Sequence, residues 1–199
     1  MSGIFDDSLK ALFGDRFTPS TGRLVLDRIA EGDLEDLWEI FGNERVTRDT
    51  DFRTRESPED CRKVLDYFLG CYGSGEQYRF AIRDRESRRM MGSIGLFGFD
   101  EESNLAEIGY ELKESCWKRG FMTEALAAIE ELFFSVMGGH RLEAVITPGN
   151  AASSALLARC GFVREGCYRR RDFFKGKYWD GEIYAILAED YLARGKPAR

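Results

Sequence analysis

Three short stretches carry residue types able to bind anions and move protons. Residues 116–126 read CWKRGFMTEAL, with Gly120 between Trp117 and Phe121 and a helix-like run directly after it. At a helix start the first backbone N–H groups lack intrahelical partners and carry the positive end of the dipole, which suits phosphate oxygens. Gly120 lets the backbone turn or come close to a ligand. Lys118 and Arg119 add charge and Thr123 adds a hydroxyl donor. By themselves the same residues more often mark an ordinary turn into a core helix. Neither GxxxxGK[ST] nor GxGxxG occurs, so this is neither a P-loop nor a dinucleotide fingerprint.

The second stretch, TPGNAASSALLARCGF (147–162), offers Asn150 as a helix N-cap and Ser153 and Ser154 in the first turn. The third, LAEIGYEL (105–112), places Glu107 and Glu111 on one face of a strand. Either carboxylate is a candidate general base once burial raises its pKa.

Alternation and helix signals supply the frame. RLVLDRI (23–29) alternates as a strand. A short helix follows to Phe41, with Asp33 as its expected cap. Ser57-Pro58-Glu59-Asp60 is a strong helix start, combining a capping serine, a first-turn proline and acids at the positive end. Strand-like runs at 78–84, 90–99 and 105–112, joined by short polar turns, form an antiparallel meander. Helical periodicity covers about 121–137, and 140–147 reads as a buried strand. Asn150 and Gly161 bracket a helix, and FVREGCYRR and DGEIYAILAED close the chain as two strands. The expected fold is α/β: a mixed, mostly antiparallel sheet of about seven strands flanked by about four helices. Residues 1–20 read as an N-terminal extension with one apolar face over a short helix. Residues 21–192 form the domain and 193–199 a tail.

The 199 residues carry a formal net charge of −6, which argues against a dedicated nucleic-acid binder. The run REGCYRRRDFFKGK (164–177) is a local basic exception, able to meet an acidic acceptor or to form a solvated hairpin. No apolar run approaches a membrane span, and the acidic start MSGIFDDSLKALFGD is unlike a signal peptide. A cytoplasmic protein is expected. The five cysteines include no CxxC, and with a single histidine, His140, no zinc set can be assembled. No metal is expected. No Cys–His pair suggests a covalent acyl-enzyme.

Taken together, RLVLDRI, AEIGYEL, W-x-x-G-F-M-T-E-A (117–125), N-A-A-S (150–153), ARCGFVREG (158–166) and the late W-D (179–180) resemble the GNAT family of N-acetyltransferases. The likeness is to the subgroup that acetylates N-terminal amines of ribosomal proteins, and it spans roughly residues 22–190. It implies acetyl-CoA as acyl donor. It implies that amides of Arg119, Gly120, Phe121, Met122 and Thr123 hold the pyrophosphate, with Trp117 and Lys118 alongside. It implies that the strand through Ile108, Tyr110 and Leu112 pairs with the pantetheine amides, beside a slot where the next strand splays away. Asn150 would bond the pantetheine arm and Ser153 would sit near the sulfur. The sequence departs from the broader family at Trp117, Lys118 and Met122, which the subgroup allows at Trp117 and Met122.

The resemblance also implies direct attack of an amine on the thioester, with a protein N-terminus as acceptor. A small-molecule amine, or a non-catalytic acyl-CoA-binding module, are the alternatives. An α-amine is neutral in roughly a tenth of molecules at pH 7, a lysine ε-amine in about one of 2,500, so an N-terminal acceptor needs less help from a base. Glu107 is the leading base, Glu111 the runner-up, and water alone a third course. Ser153 is the candidate donor to the leaving thiolate. A monomer or homodimer is expected.

Overall fold

The computed structural model describes residues 18–195. The expected helix within residues 1–17 and the last residues of the tail lie outside them. Strand β1 (Leu24–Arg28) leads through a 3-10 turn to α1 (Leu34–Phe41), α2 (Glu44–Thr47) and α3 (Pro58–Ser74). Then come β2 (Gln77–Asp84), β3 (Met90–Asp100), β4 (Leu105–Leu112) and α4 (Phe121–Glu130), which continues as a π-turn to Val136. The remainder is β5 (Arg141–Ile146), α5 (Ala151–Arg159), β6 (Val163–Phe174), β7 (Lys177–Leu187) and α6 (Ala188–Ala193).

The seven strands form one sheet in the order β1-β2-β3-β4-β5-β7-β6. All neighbours are antiparallel except β4 and β5, which are parallel across α4. Strand alternation divides the core. Tyr78, Phe80 and Ile82 of β2 join Ile94, Leu96, Ala125, Leu126 and Leu157 on the face covered by α4 and α5. Ala81 and Met90 face Leu37, Phe41, Leu65 and Phe68 of α1 and α3.

The helix starts follow local chemistry. Ser57 Oγ accepts from Asp60 N–H (3.1 Å) with Pro58 behind it, and Gly75 closes α3 at φ +76°. Asp33 stands at the cap of α1 but serves another role. Its carboxylate takes Ala30 N–H (2.8 Å) and the Arg83 guanidinium (2.7 and 2.8 Å), tying α1 to the sheet instead of capping it. Among the described residues six α-helices form, against about four expected. The additions are α2 and α6, of four and six residues, too short to show periodicity. The final hairpin is also longer than expected, because β6 runs to Phe174 before a turn through Lys175 (φ +50°) and Gly176 (φ +76°).

Candidate active site

The parallel pairing of β4 with β5 stops after three residue pairs, at Glu107↔Glu143, although β4 continues to Leu112. Strand β5 stays with β7 to Ile146. The two strands therefore part, and Ile108–Leu112 loses its neighbour on that side. At the end of the gap lie the starts of α4 and α5. Two cavities, of about 580 and about 630 Å³, open from it. Asp49, Thr50, Tyr110, Glu111, Asn150 and Ser153 line both.

The larger cavity holds the α4 start. Gly120 takes the N-cap position at φ +79°, a left-handed conformation that glycine adopts without the strain a side chain brings. Glu124 N–H is the first to reach back, to Gly120 C=O (3.1 Å), which leaves Phe121, Met122 and Thr123 amides without helical acceptors. Trp117, Lys118, Gly120, Phe121, Met122 and Thr123 all line this cavity. Arg119 turns away, its guanidinium lying over the Phe121 ring (4.8 Å). Trp117 anchors the loop backwards by donating Nε1–H to Leu112 C=O (2.8 Å).

A clamp that no sequence motif signals holds this loop. Arg23, from the segment before β1, bonds Glu124 through its backbone N–H (3.0 Å) and Nε (2.7 Å). It also donates Nη1–H to Arg119 C=O (3.0 Å) and stacks on Phe121 (4.5 Å). Burial opposes charge on Glu124, but hydrogen bonds from Thr21 and Arg23 outweigh it and hold the carboxyl below its ordinary value. The wall is otherwise basic: Arg45, Arg48, Lys118 and Arg159 against Asp49 and Glu111.

The smaller cavity has the opposite sign. Asp49, Asp51, Glu107, Glu111, Asp172 and Asp180 line it, with Arg171 as the basic side chain. Glu107 Oε1 accepts from Arg171 Nη2 (3.0 Å). Glu111 is engaged more deeply. Buried Arg79 pairs with its Oε2, and Ser93 Oγ donates to the same oxygen (2.9 Å). That oxygen is occupied by the sheet interior, so of the two candidate bases Glu107 is the more available. Lys175, at the hairpin tip, donates to the carbonyls of Thr47 (2.6 Å), Arg48 (3.2 Å) and Thr50 (2.9 Å). It fastens the hairpin to the loop that roofs both cavities. The rest of the basic run divides: Arg164 pairs with Glu182 (3.0 Å), and Arg169 and Arg170 are exposed.

Where the cavities meet, Asn150 Oδ1 accepts from Ser153 N–H (3.1 Å), the expected cap. Beside Ser153 stands Tyr110. Its hydroxyl is buried yet has no hydrogen-bond partner. Burial pushes this phenol well above the ordinary tyrosine value, and the neighbouring Ser153 hydroxyl opposes the shift. From sequence, Tyr110 is placed by its strand backbone alone. The period-2 pattern of AEIGYEL could have flagged a tyrosine turned toward the helix starts. The cysteines are free, and burial raises the Cys61 and Cys160 thiols to about 11, poor values for nucleophiles. No described helix is long and apolar enough to cross a membrane.

Known proteins resemble this chain in sequence and in fold. Residues 23–163 match the Acetyltransferase (GNAT) domain family. The uncharacterized N-acetyltransferase YoaA of Bacillus subtilis is 32% identical over 167 residues, 84% of this chain and 94% of that protein. The ribosomal-protein-serine acetyltransferase of Escherichia coli is 25% identical, covering 83% of this chain and 93% of its own. Among solved structures, spermidine N-acetyltransferase from Vibrio cholerae in complex with CoA and spermine shares the fold. Its TM-score is 0.73 at 20% identity, covering 86% of this chain and 99% of that one. The chain belongs to the GNAT family of acetyltransferases.

Proposed function

We propose that this GNAT N-acetyltransferase takes acetyl from acetyl-CoA and delivers it to a protein N-terminal α-amine, within the domain of residues 21–192. The observation that carries the proposal is the parting of β4 from β5 after Glu107↔Glu143, with a basic cavity on one side and an acidic one on the other. A polyanionic donor suits the first and a cationic amine the second. Acetyl-CoA, when bound, supplies an activated acyl thioester.

The residues fit that donor. At Gly120 the backbone approaches the cavity in a conformation that other residues rarely adopt, and the amides after it are unengaged. Helix-start N–H groups, Lys118 and Thr123 suit a pyrophosphate. The unpaired edge of Ile108, Tyr110 and Leu112 suits an extended chain carrying amides. Asn150 fixes the start of α5 and so the position of Ser153.

The chain's own groups can perform the proton work. Glu107, facing the acidic cavity, accepts a proton from the incoming ammonium, directly or through water. Arg171 holds it in place. A CoA-type thiol has a reference pKa near 8.5, so its thiolate leaves with modest help. Tyr110 and Ser153 stand at the junction as donors to it. Tyr110 has only a loose contact with Ser153 to give up, which makes its hydroxyl the better placed. Likeness to the ribosomal-protein-serine acetyltransferase of Escherichia coli supports the N-terminal acceptor. A small-molecule amine is the second reading, favoured by the open acidic cavity and by the fold shared with a spermidine acetyltransferase.

Thiol release from acetyl-CoA, measured across N-terminal peptides, monoamines and diamines, tests the proposal. Peptides should exceed the small amines in kcat/KM. A panel in which only small amines react would replace the first reading with the second.

A further inference from the structure

The acidic cavity holds more carboxylate than the transfer of one amine can use. The reacting amine must be neutral when it attacks. Each nearby carboxylate favours its charged form, and one unit of raised pKa leaves a tenth of the neutral species. Carboxylates close to the reacting centre are therefore a hindrance unless they are neutralised. On β4 they are. Arg171 covers Glu107, and Arg79 with Ser93 covers Glu111.

The hairpin side differs. Asp180 makes no ion pair among the described residues, and only its Oδ1 is used, accepting from Arg170 N–H (2.7 Å). Asp172 has only a long approach from Arg171 Nε (3.8 Å), whose guanidinium is committed to Glu107. Its carboxylate lies over Gly181, where a side chain would also strike Val145 of β5. Both acids line the acidic cavity and neither reaches the basic one. They stand on β6 and β7, across β5 from β4, and β4 carries Tyr110 at the proposed reacting end of the same cavity.

We propose that Asp172 and Asp180 select an acceptor carrying a second, permanent positive charge, held on the hairpin wall while the neutral amine reacts at Tyr110 and Ser153. In a protein N-terminus that charge is an arginine or lysine in the first positions. In a small acceptor it is the far ammonium of a diamine. The proposal rests on acetyl transfer at this site and names which amines it favours.

Two matched pairs test it with purified full-length protein and acetyl-CoA. The first is Ala-Arg against Ala-citrulline at the start of one peptide, which have nearly the same shape and differ in charge. The second is 1,4-diaminobutane against butylamine. The charged member should win in kcat/KM by about five- to tenfold, through KM, which is the scale of two half-exposed ion pairs. Separation in the peptides points to a protein acceptor; separation confined to the diamine points to a small one. The double substitution Asp172→Asn, Asp180→Asn should bring the ratio toward one. Asparagine can still accept from Arg170 N–H, so the hairpin should remain folded. Equal rates within both pairs, or a preference that survives the double substitution, would overturn the selection by these acids. Absence of transfer to every amine would overturn the acetyltransferase reading along with it.

Discussion

The two cavities share Tyr110, Asn150 and Ser153, yet they are built by different means. The basic one rests on backbone: a left-handed glycine, the unengaged amides of a helix start and a strand edge without a partner. Trp117 onto Leu112 and Arg23 onto Glu124 and Arg119 anchor that backbone, while Arg45, Arg48, Lys118 and Arg159 line the wall with charge. The acidic one rests on side chains brought in by the 48–51 loop, β4 and the hairpin. A backbone site tolerates changes in the residues around it and fails when the chain path changes. A side-chain site can alter its preference with single substitutions and keep its fold. On the proposed assignment of the basic cavity to the donor and the acidic one to the acceptor, one protein can thus keep its donor and vary its acceptor.

The largest expected effect breaks the backbone half. Gly120→Pro removes an N–H and forces φ near −65° where the chain needs +79°. The KM for acetyl-CoA should rise about a hundredfold, as two or more charge-assisted hydrogen bonds are lost. Gly120→Ala keeps the N–H and adds about 1–2 kcal/mol of left-handed strain, so its effect should be smaller. Thermal melts show that each variant is folded. A folded Gly120→Pro protein with unchanged acetyl-CoA affinity would show that the cavity binds through other groups.

How much could be read beforehand follows the same division. Ser57-Pro58, Gly120, Asn150 and Gly161 act within one or two turns of themselves, so spacing reveals them. The order of strands and helices follows from alternation and caps. Arg23 and Glu124 meet across 101 residues, and Lys175 reaches Thr50 across 125. No local pattern announces such pairs. Strand parity puts Glu107 and Glu111 on one face, and the sequence ranks Glu107 first without showing what either carboxylate meets. The sheet supplies that: it sets Arg79 of β2 against Glu111 and brings Arg171 to Glu107.

The junction gives the intermediate effect. Tyr110→Phe keeps the ring and removes the hydroxyl. If the phenol donates to the leaving sulfur, kcat should fall roughly tenfold, below the usual range of about 10²–10⁴ for proton-transfer catalysis because a thiolate leaves readily. Both KM values should stay within about twofold. Deleting a buried hydroxyl without a partner should also raise the melting temperature slightly. Lower activity together with higher stability is a signature that a packing defect would not give. An unchanged kcat would assign the donor to Ser153 or water.

The smallest effects should separate the two cavities most cleanly, because each has its own charged fastening. Glu124 holds the loop of the basic cavity through Arg23, and Lys175 holds the hairpin that walls the acidic one, through the carbonyls of Thr47, Arg48 and Thr50. At pH 7, Glu124→Gln should raise the KM for acetyl-CoA about three- to fivefold, the scale of a partly exposed ion pair. The acceptor KM should change little. Lys175→Met should do the reverse. The Glu124 contribution has a defined pH sense. Its carboxyl is held below its ordinary value in the folded protein, so the fastening is complete above pH 4.5 and is lost as pH falls through the folded pKa. The stability difference between the native protein and Glu124→Gln should therefore be constant near neutrality and shrink below pH 4.5. If both substitutions raised both KM values together, the two cavities would be one mechanical unit, and the separation of donor from acceptor recognition would not hold.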